Sequence, residues 1–181
     1  ATLSMGAVSF EKAVTVRTRA VIPVHVSGRA GAFKKVWEVA GKYAIPVVED
    51  AAEALGSKLN GRFLGTWGKM GCFSFSPNKP ITTGQGGMVV TDDERLAARL
   101  RELKDQGRSA RGTGGDDQHP TLGFNFKFTN LQAAVGLGQM TDLDRRLNRQ
   151  RSISEIYREE LRGCGAIRFF DCDLKGGEVP K

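Results

Sequence analysis

The chain has 181 residues, the size of one ordinary domain, and its 40% hydrophobic and 26% charged residues suit a protein with a buried core. No apolar run approaches the roughly 18–20 residues needed to span a bilayer, which excludes a helical membrane protein. The formal charge of +7 is spread as +3 over residues 1–94, +4 over 95–163 and none beyond. A nucleic-acid binder gathers its basic residues on one face or arm, so no nucleic-acid partner is expected.

In chain order, residues 20–26 (Ala-Val-Ile-Pro-Val-His-Val) form a nearly continuous apolar run, the pattern of a strand buried on both faces. Phe33, Val36, Trp37, Ala40 and Tyr43 recur at three- and four-residue spacings, which predicts a helix over 32–43. Residues 46–50 then read as a short strand ending in Glu49 and Asp50. Strand, helix and strand within about thirty residues is a βαβ unit and implies a mostly parallel sheet. Further short strands are predicted over 72–75 and 87–90, separated by a loop rich in Gly, Pro and Thr. Thr91 and Glu94 fit a capping box for a helix whose buried stripe is Leu96, Leu100 and Leu103, with Gly107 as its stop. Residues 108–120 read as a mobile polar loop. Helices resume over 130–140 and over 142–162, the second with Leu143, Leu147, Tyr157 and Leu161 on one face.

Three cysteines, Cys72, Cys164 and Cys172, form neither a disulfide framework nor a CxxC zinc pair, and a reduced, cytoplasmic setting is expected. The 23 glycines, about 13% against an average near 7%, anticipate tight turns and close backbone approaches. No signal peptide is visible after Ala1, and the polar residues 171–181 close no element, so a piece of a longer protein is expected.

Several motifs fail on inspection. Gly68-Lys69 lacks a Walker A frame, because the flanking positions hold Phe63 and Met70. Gly84-Gln85-Gly86-Gly87 is not GxGxxG and precedes a strand where a dinucleotide motif follows one. His25 and His119 belong to no HExxH pattern, and Ser74 to no GxSxG elbow.

Three residues belong together chemically. Asp50 ends a buried strand, where open α/β sheets place ligand groups; an acid there can meet a cationic ligand nitrogen or cap the following turn, and the two readings stand even. Lys79 follows an apolar strand among small and turn-forming residues. A lysine in that setting is either a loop residue or, if desolvated, a nucleophile toward an aldehyde. Ser74, five residues earlier, can donate to a phosphate or bond a neighbouring strand or water. An acid for a pyridinium nitrogen, an amine for an aldehyde and a hydroxyl for a phosphate are together what pyridoxal phosphate requires.

At this point the sequence resembles a family. Ile22-Pro23-Val24-His25, residues 48–56 (Val-Glu-Asp-Ala-Ala-Glu-Ala-Leu-Gly), Gly71-Cys72-Phe73-Ser74-Phe75, the stretch from Lys79 to Gly87, residues 122–129 and Leu131-Gln132-Ala133-Ala134 are similar to the sugar aminotransferases of the DegT/DnrJ/EryC1/StrS group. The resemblance implies an α/β fold, part of the large pyridoxal-phosphate-binding domain of a fold type I aminotransferase, with a mainly parallel mixed sheet and flanking helices. Residues 1–163 would be the central part of that domain, and 164–181 the start of the connection to a small C-terminal domain.

The resemblance also implies roles. Lys79 matches the Schiff-base lysine, Asp50 the partner of the pyridine nitrogen and Ser74 a phosphate ligand. Glu53 stands where the family usually has Gln packed near the ring, and Asn125 matches an asparagine that reaches the phosphate of the partner subunit's cofactor. The implied reaction is transamination of a keto nucleotide-sugar to an aminodeoxy sugar with glutamate as donor, in a cytoplasmic homodimer with shared active sites. The alternatives are a regulatory cofactor-binding member and the deoxysugar dehydratase branch, which carries His at the lysine position. Gln85 (usually Glu), Lys127 (usually Arg) and Ser27-Gly28 (usually an aromatic-Gly pair) depart from the pattern and bear on substrate identity.

Overall fold

A computed structural model describes residues 3–108 and 118–180. Most of the loop expected at 108–120 lies outside the described residues.

The sheet is built from the apolar segments foreseen. β1 (Val48–Asp50) pairs in parallel with β4 (Met70–Ser74), and β4 pairs antiparallel with β5 (Gly87–Val90). On the free side of β1, Val21 and Val24 form parallel bridges to Val47 and Asp50. The sheet is therefore mixed, with three parallel segments and one antiparallel edge. The segment over 20–26 departs from the expected regular strand. Pro23 has no N–H to give the ladder, so only single bridges form, and Ile22 (57% exposed) and Val24 face outward, so one face is bare.

Helix α1 (Ala7–Ala13) and helix α2 (Phe33–Lys42) lie against each other and cover the other face. The α2 positions Phe33, Val36 and Ala40 are buried as their spacing demands, and Phe10 of α1 joins them with Val21, Ile45, Val47, Ala51, Ala54 and Leu64 in one core. Trp37 and Tyr43 lie at its rim. Between β1 and β4 the chain makes a small hairpin, β2 (Lys58–Leu59) and β3 (Arg62–Phe63). Its turn residues Asn60 and Gly61 both have positive φ, +50° and +79°, the conformation Asn-Gly pairs favour in two-residue hairpins.

Helix α3 (Glu94–Lys104) begins differently from the expected capping box. Asp93 is the N-cap, accepting from the Arg95 and Leu96 amides, while the Thr91 hydroxyl donates to the Lys69 carbonyl. Its Leu96, Leu100 and Leu103 stripe is only half-buried. A capping box does form at α4 (Asn130–Met140), between Thr129 and Gln132. In α5 (Leu143–Glu160) Leu147 is buried, but Tyr157 is exposed.

Candidate active site

The parallel pairing of β1 and β4 sets Asp50 opposite Cys72 in register, and β4 runs two residues further to Ser74. Both chain segments thus deliver polar side chains to one edge of the sheet, the carboxyl ends of parallel strands. The Asp50 Oδ1 accepts the Ala52 amide at 3.1 Å, so the turn-capping reading holds for one oxygen, and no hydrogen bond among the described residues claims Oδ2. Burial, and then the Asp50 charge, push the Cys72 thiol above its ordinary range.

After β4 the chain turns tightly, with the Lys79 amide bonded to the Ser76 carbonyl at 3.1 Å. This turn folds Lys79 back, and its side chain is only 9% exposed, in contrast to a surface loop lysine. The Lys79 Nζ stands 3.7 Å from Glu53 Oε1, while Glu53 Oε2 accepts the Ser27 amide at 2.7 Å. The Ser74 and Ser76 hydroxyls lie 2.5 Å apart at the mouth of the same turn. Asn125 is elsewhere: it is exposed and bridges Asp105 near the end of α3. No hydrogen bond among the described residues links it to Asp50, Glu53, Ser74 or Lys79.

Two structural groups escaped the sequence reading. Glu49 precedes Asp50 in β1, so its side chain points to the opposite face of the strand. It is fully buried. Its Oε1 accepts the Trp67 and Gly68 amides at 2.6 and 2.7 Å, and its Oε2 accepts the Gly65 amide at 2.7 Å and meets His25 Nε2 at 2.9 Å. The strand period could have separated the two acids, but no local pattern announces the amides that come from 65–68.

The second is Glu178, whose carboxylate accepts the Ala30 and Asp173 amides, both at 2.6 Å. The adjoining Val179 amide donates to Ser57 Oγ at 2.9 Å. This segment braces the turn that presents Ser27 to Glu53. Ser27 has φ +53° and Gly28 φ +75°, and a Cβ at Gly28 would lie 2.0 Å from the Val179 carbonyl oxygen, so only glycine fits.

A cleft of about 530 Å³ opens between this turn, α5 and residues 169–170, with Glu53 and Asn78 on the lysine side. The donor set fits pyridoxal phosphate: a carboxylate with an unclaimed oxygen, a buried amine and paired hydroxyls on adjoining strand ends. Among the described residues no cluster of three or more His, Cys, Asp and Glu side chains could hold a metal, and no helix is long and apolar enough to cross a membrane.

A mainly parallel mixed sheet with flanking helices and a buried lysine after a strand is the large-domain architecture of a fold type I aminotransferase. Solved structures bear out the class. An aminotransferase, TlmJ, from Streptoalloteichus hindustanus superposes with a TM-score of 0.87 at 30% identity over 94% of this chain and 46% of that one. DesV from S. venezuelae does so at 0.83 and 35%, over 94% and 45%. The E. coli GDP-4-keto-6-deoxy-D-mannose-3-dehydratase shares the fold at 0.86 and 25%, over 98% and 49%.

Residues 1–174 match the DegT/DnrJ/EryC1/StrS aminotransferase family, and the chain belongs to it. Among curated relatives, the GDP-perosamine synthase of Caulobacter vibrioides is 39% identical over 168 residues, covering 91% of this chain and 43% of the relative. That of Escherichia coli O157:H7 is 38% identical over 160 residues, covering 88% and 43%. The chain therefore spans less than half the length of these relatives.

Proposed function

We propose that this chain carries the lysine-bearing part of a pyridoxal-phosphate-dependent aminotransferase that converts a keto nucleotide-sugar to an aminodeoxy sugar, with glutamate as amino donor. The observation that carries the reading is that Asp50 ends β1 beside the end of β4, while the Lys79 side chain, in the turn that follows β4, is only 9% exposed and lies against Glu53. Kinship at 38–39% identity with GDP-perosamine synthases supports a nucleotide-linked sugar as substrate. Lys79, where the dehydratase branch carries His, favours transamination over dehydration.

When bound, pyridoxal phosphate supplies an electron sink. Asp50 would accept the pyridinium N–H and keep that nitrogen charged. Ser74 would donate to the phosphate, with Ser76 orienting its hydroxyl. Lys79 would bond the aldehyde carbon and, once displaced by the donor amine, carry a proton between the donor carbon and C4′. Glu53 would lie along the ring beside Lys79. Asn125 would reach the phosphate held by the partner subunit, in a cytoplasmic homodimer with shared sites. Support for that dimer comes from the apolar side chains bare around Asn125, with Phe126 73% and Leu131 76% exposed. Residues 1–163 would belong to the large domain, and 164–181 would lead toward a small one.

The test is made on the full-length protein with pyridoxal phosphate. Borohydride reduction is expected to fix the cofactor's mass on the peptide containing Lys79, and glutamate to shift the bound cofactor's absorbance to that of the amine form. Lys79→Ala should abolish the labelling, and Asp50→Asn should keep the fold while slowing the glutamate step severely. Labelling at another lysine, or near-normal turnover of Asp50→Asn, overturns the reading.

A further inference from the structure

Ser27 carries a side chain at φ +53°, a backbone conformation that persists only where the surroundings impose it. The surroundings here come from residues 170–179. The buried Glu178 carboxylate accepts the Ala30 amide through Oε1 and the Asp173 amide through Oε2, both at 2.6 Å. Gly28 is sandwiched, since a Cβ there would stand 2.0 Å from the Val179 carbonyl oxygen and 3.2 Å from that of Glu53. Arg29 stands 4.6 Å over the Phe170 ring, a second tie between the same turn and the same stretch. That stretch is itself anchored. The Val179 amide donates to Ser57 Oγ at 2.9 Å and the Lys58 amide to the Gly177 carbonyl at 3.0 Å. Arg151 of α5 reaches the Gly177 and Glu178 carbonyls, each at 3.3 Å.

What the turn delivers to the site is one amide. The Ser27 N–H donates to Glu53 Oε2 at 2.7 Å, and Glu53 Oε1 stands 3.7 Å from Lys79 Nζ. A carboxylate is planar and rigid, so fixing one oxygen against an amide also aims the other. A continuous path of contacts therefore runs from Glu178 to Ala30, through the turn to Ser27, and by way of Glu53 to the Lys79 amine. Glu178 lies outside the residues 1–174 that match the family.

We infer that Glu178 is a positioning residue for Lys79, acting through the Ser27 amide and the Glu53 carboxylate to hold the amine where an aldehyde carbon can reach it. The inference rests on the reading of Lys79 as the cofactor-bearing lysine given above. A Glu178 that served the fold alone would add stability and leave the aim of the amine unchanged.

The experiment follows covalent capture of saturating pyridoxal phosphate by the full-length, cofactor-free protein, well below the melting temperature of each variant. In this step the amine nitrogen bonds the aldehyde carbon, and the aldehyde oxygen leaves as water. Stopped-flow absorbance gives the rate, and borohydride quenching with peptide mass analysis gives the site. Glu178→Gln keeps the size of the side chain but turns an –NH₂ toward one of its two amide donors. It is expected to slow capture at Lys79 by about tenfold. Glu53→Ala also slows capture and cuts the path, so adding Glu178→Gln to it should change the rate less than about twofold further. If Glu178→Gln does not fold, Ser57→Ala, which removes only the bond to the Val179 amide, takes its place in the cycle with about threefold slowing expected. An unchanged rate in either single variant overturns the inference. Equal slowing in both backgrounds, the mark of a role in the fold alone, overturns it as well. Capture by the parent protein at another lysine would instead overturn the reading of Lys79 itself.

Discussion

Four hydrogen-bond donors converge on Glu49, and its charge is what they share. Burial alone would raise this carboxyl, but His25 and the amides of Gly68 and Gly65 outweigh it and hold the group below its ordinary 4.5. A carboxylate lowered by folding stabilises the fold above its ordinary value, and that contribution is lost as pH falls through the lowered one. Glu49→Gln turns a –NH₂ toward amides that need an acceptor. The variant is expected to lose about 3–5 kcal/mol at neutral pH and to show a flatter acid-side decline than the parent. Urea unfolding at a series of pH values between neutral and strongly acid measures both. Next to it, Asp50 has the opposite character: one oxygen caps a turn, and the other remains available for a ligand. Adjacent acids on one strand thus differ, one saturated by the fold and one with an oxygen that no described residue claims, because successive side chains face opposite ways.

The elements differ in how well their own residues announce them. α2 and β5 were legible because a three-to-four spacing, or a compact apolar run, suffices to define them. The hairpin of β2 and β3 was missed although Asn60-Gly61 is a strong local turn signal, because its strands are too short to show alternation. Over 20–26 the apolar content predicts a regular strand, but Pro23 reduces it to single bridges. The N-cap of α3 moved from Thr91 to Asp93 because the Thr91 hydroxyl is drawn to the Lys69 carbonyl, a tertiary contact no local pattern encodes. In the candidate site, Asp50, Ser74 and Lys79 stand out in the sequence as residue types suited to one cofactor. The Glu53–Ser27 clamp and the Glu178 brace join residues 26 and 148 positions apart, beyond the reach of spacing arguments. Two glycines in left-handed backbone give a direct comparison. Gly61 has open space around a would-be Cβ, so Gly61→Ala should cost only backbone strain, about 1 kcal/mol. Gly28 faces the Val179 oxygen, so Gly28→Ala should cost several times more and release residues 173–180 to protease. Thermal melts of the two variants, with limited proteolysis, check the order.

At the scale of the whole molecule, the chain exposes 11952 Å², whereas a compact monomer of its 19.6 kDa would expose about 8,600 Å². Large apolar side chains stand exposed, including Leu122, Phe124, Phe126, Leu131 and Leu137 along the approach to α4 and on it. Faces of this kind are covered in a working protein. If a second copy provides the cover and Asn125 serves its site, mixing full-length Lys79→Ala and Asn125→Ala subunits should restore activity that neither variant has alone. Each heterodimer would contain one site with both residues intact, so recovery approaches half of one wild-type dimer's turnover per heterodimer formed. Heterodimers that form without recovering activity would show that Asn125 acts within its own subunit.

The Glu178 brace also bears on how the polypeptide is made. Residue 30 leaves the ribosome 148 residues before its carboxylate partner, a delay of about 7–30 s at 5–20 residues per second. Throughout that interval the Glu178 carboxylate and the Val179 carbonyl are absent from behind the turn of Ser27 and Gly28. The turn that faces Glu53 is therefore backed only after translation has passed the whole sheet. A nascent chain therefore meets cellular aldehydes while the turn facing Glu53 still lacks its Glu178 brace.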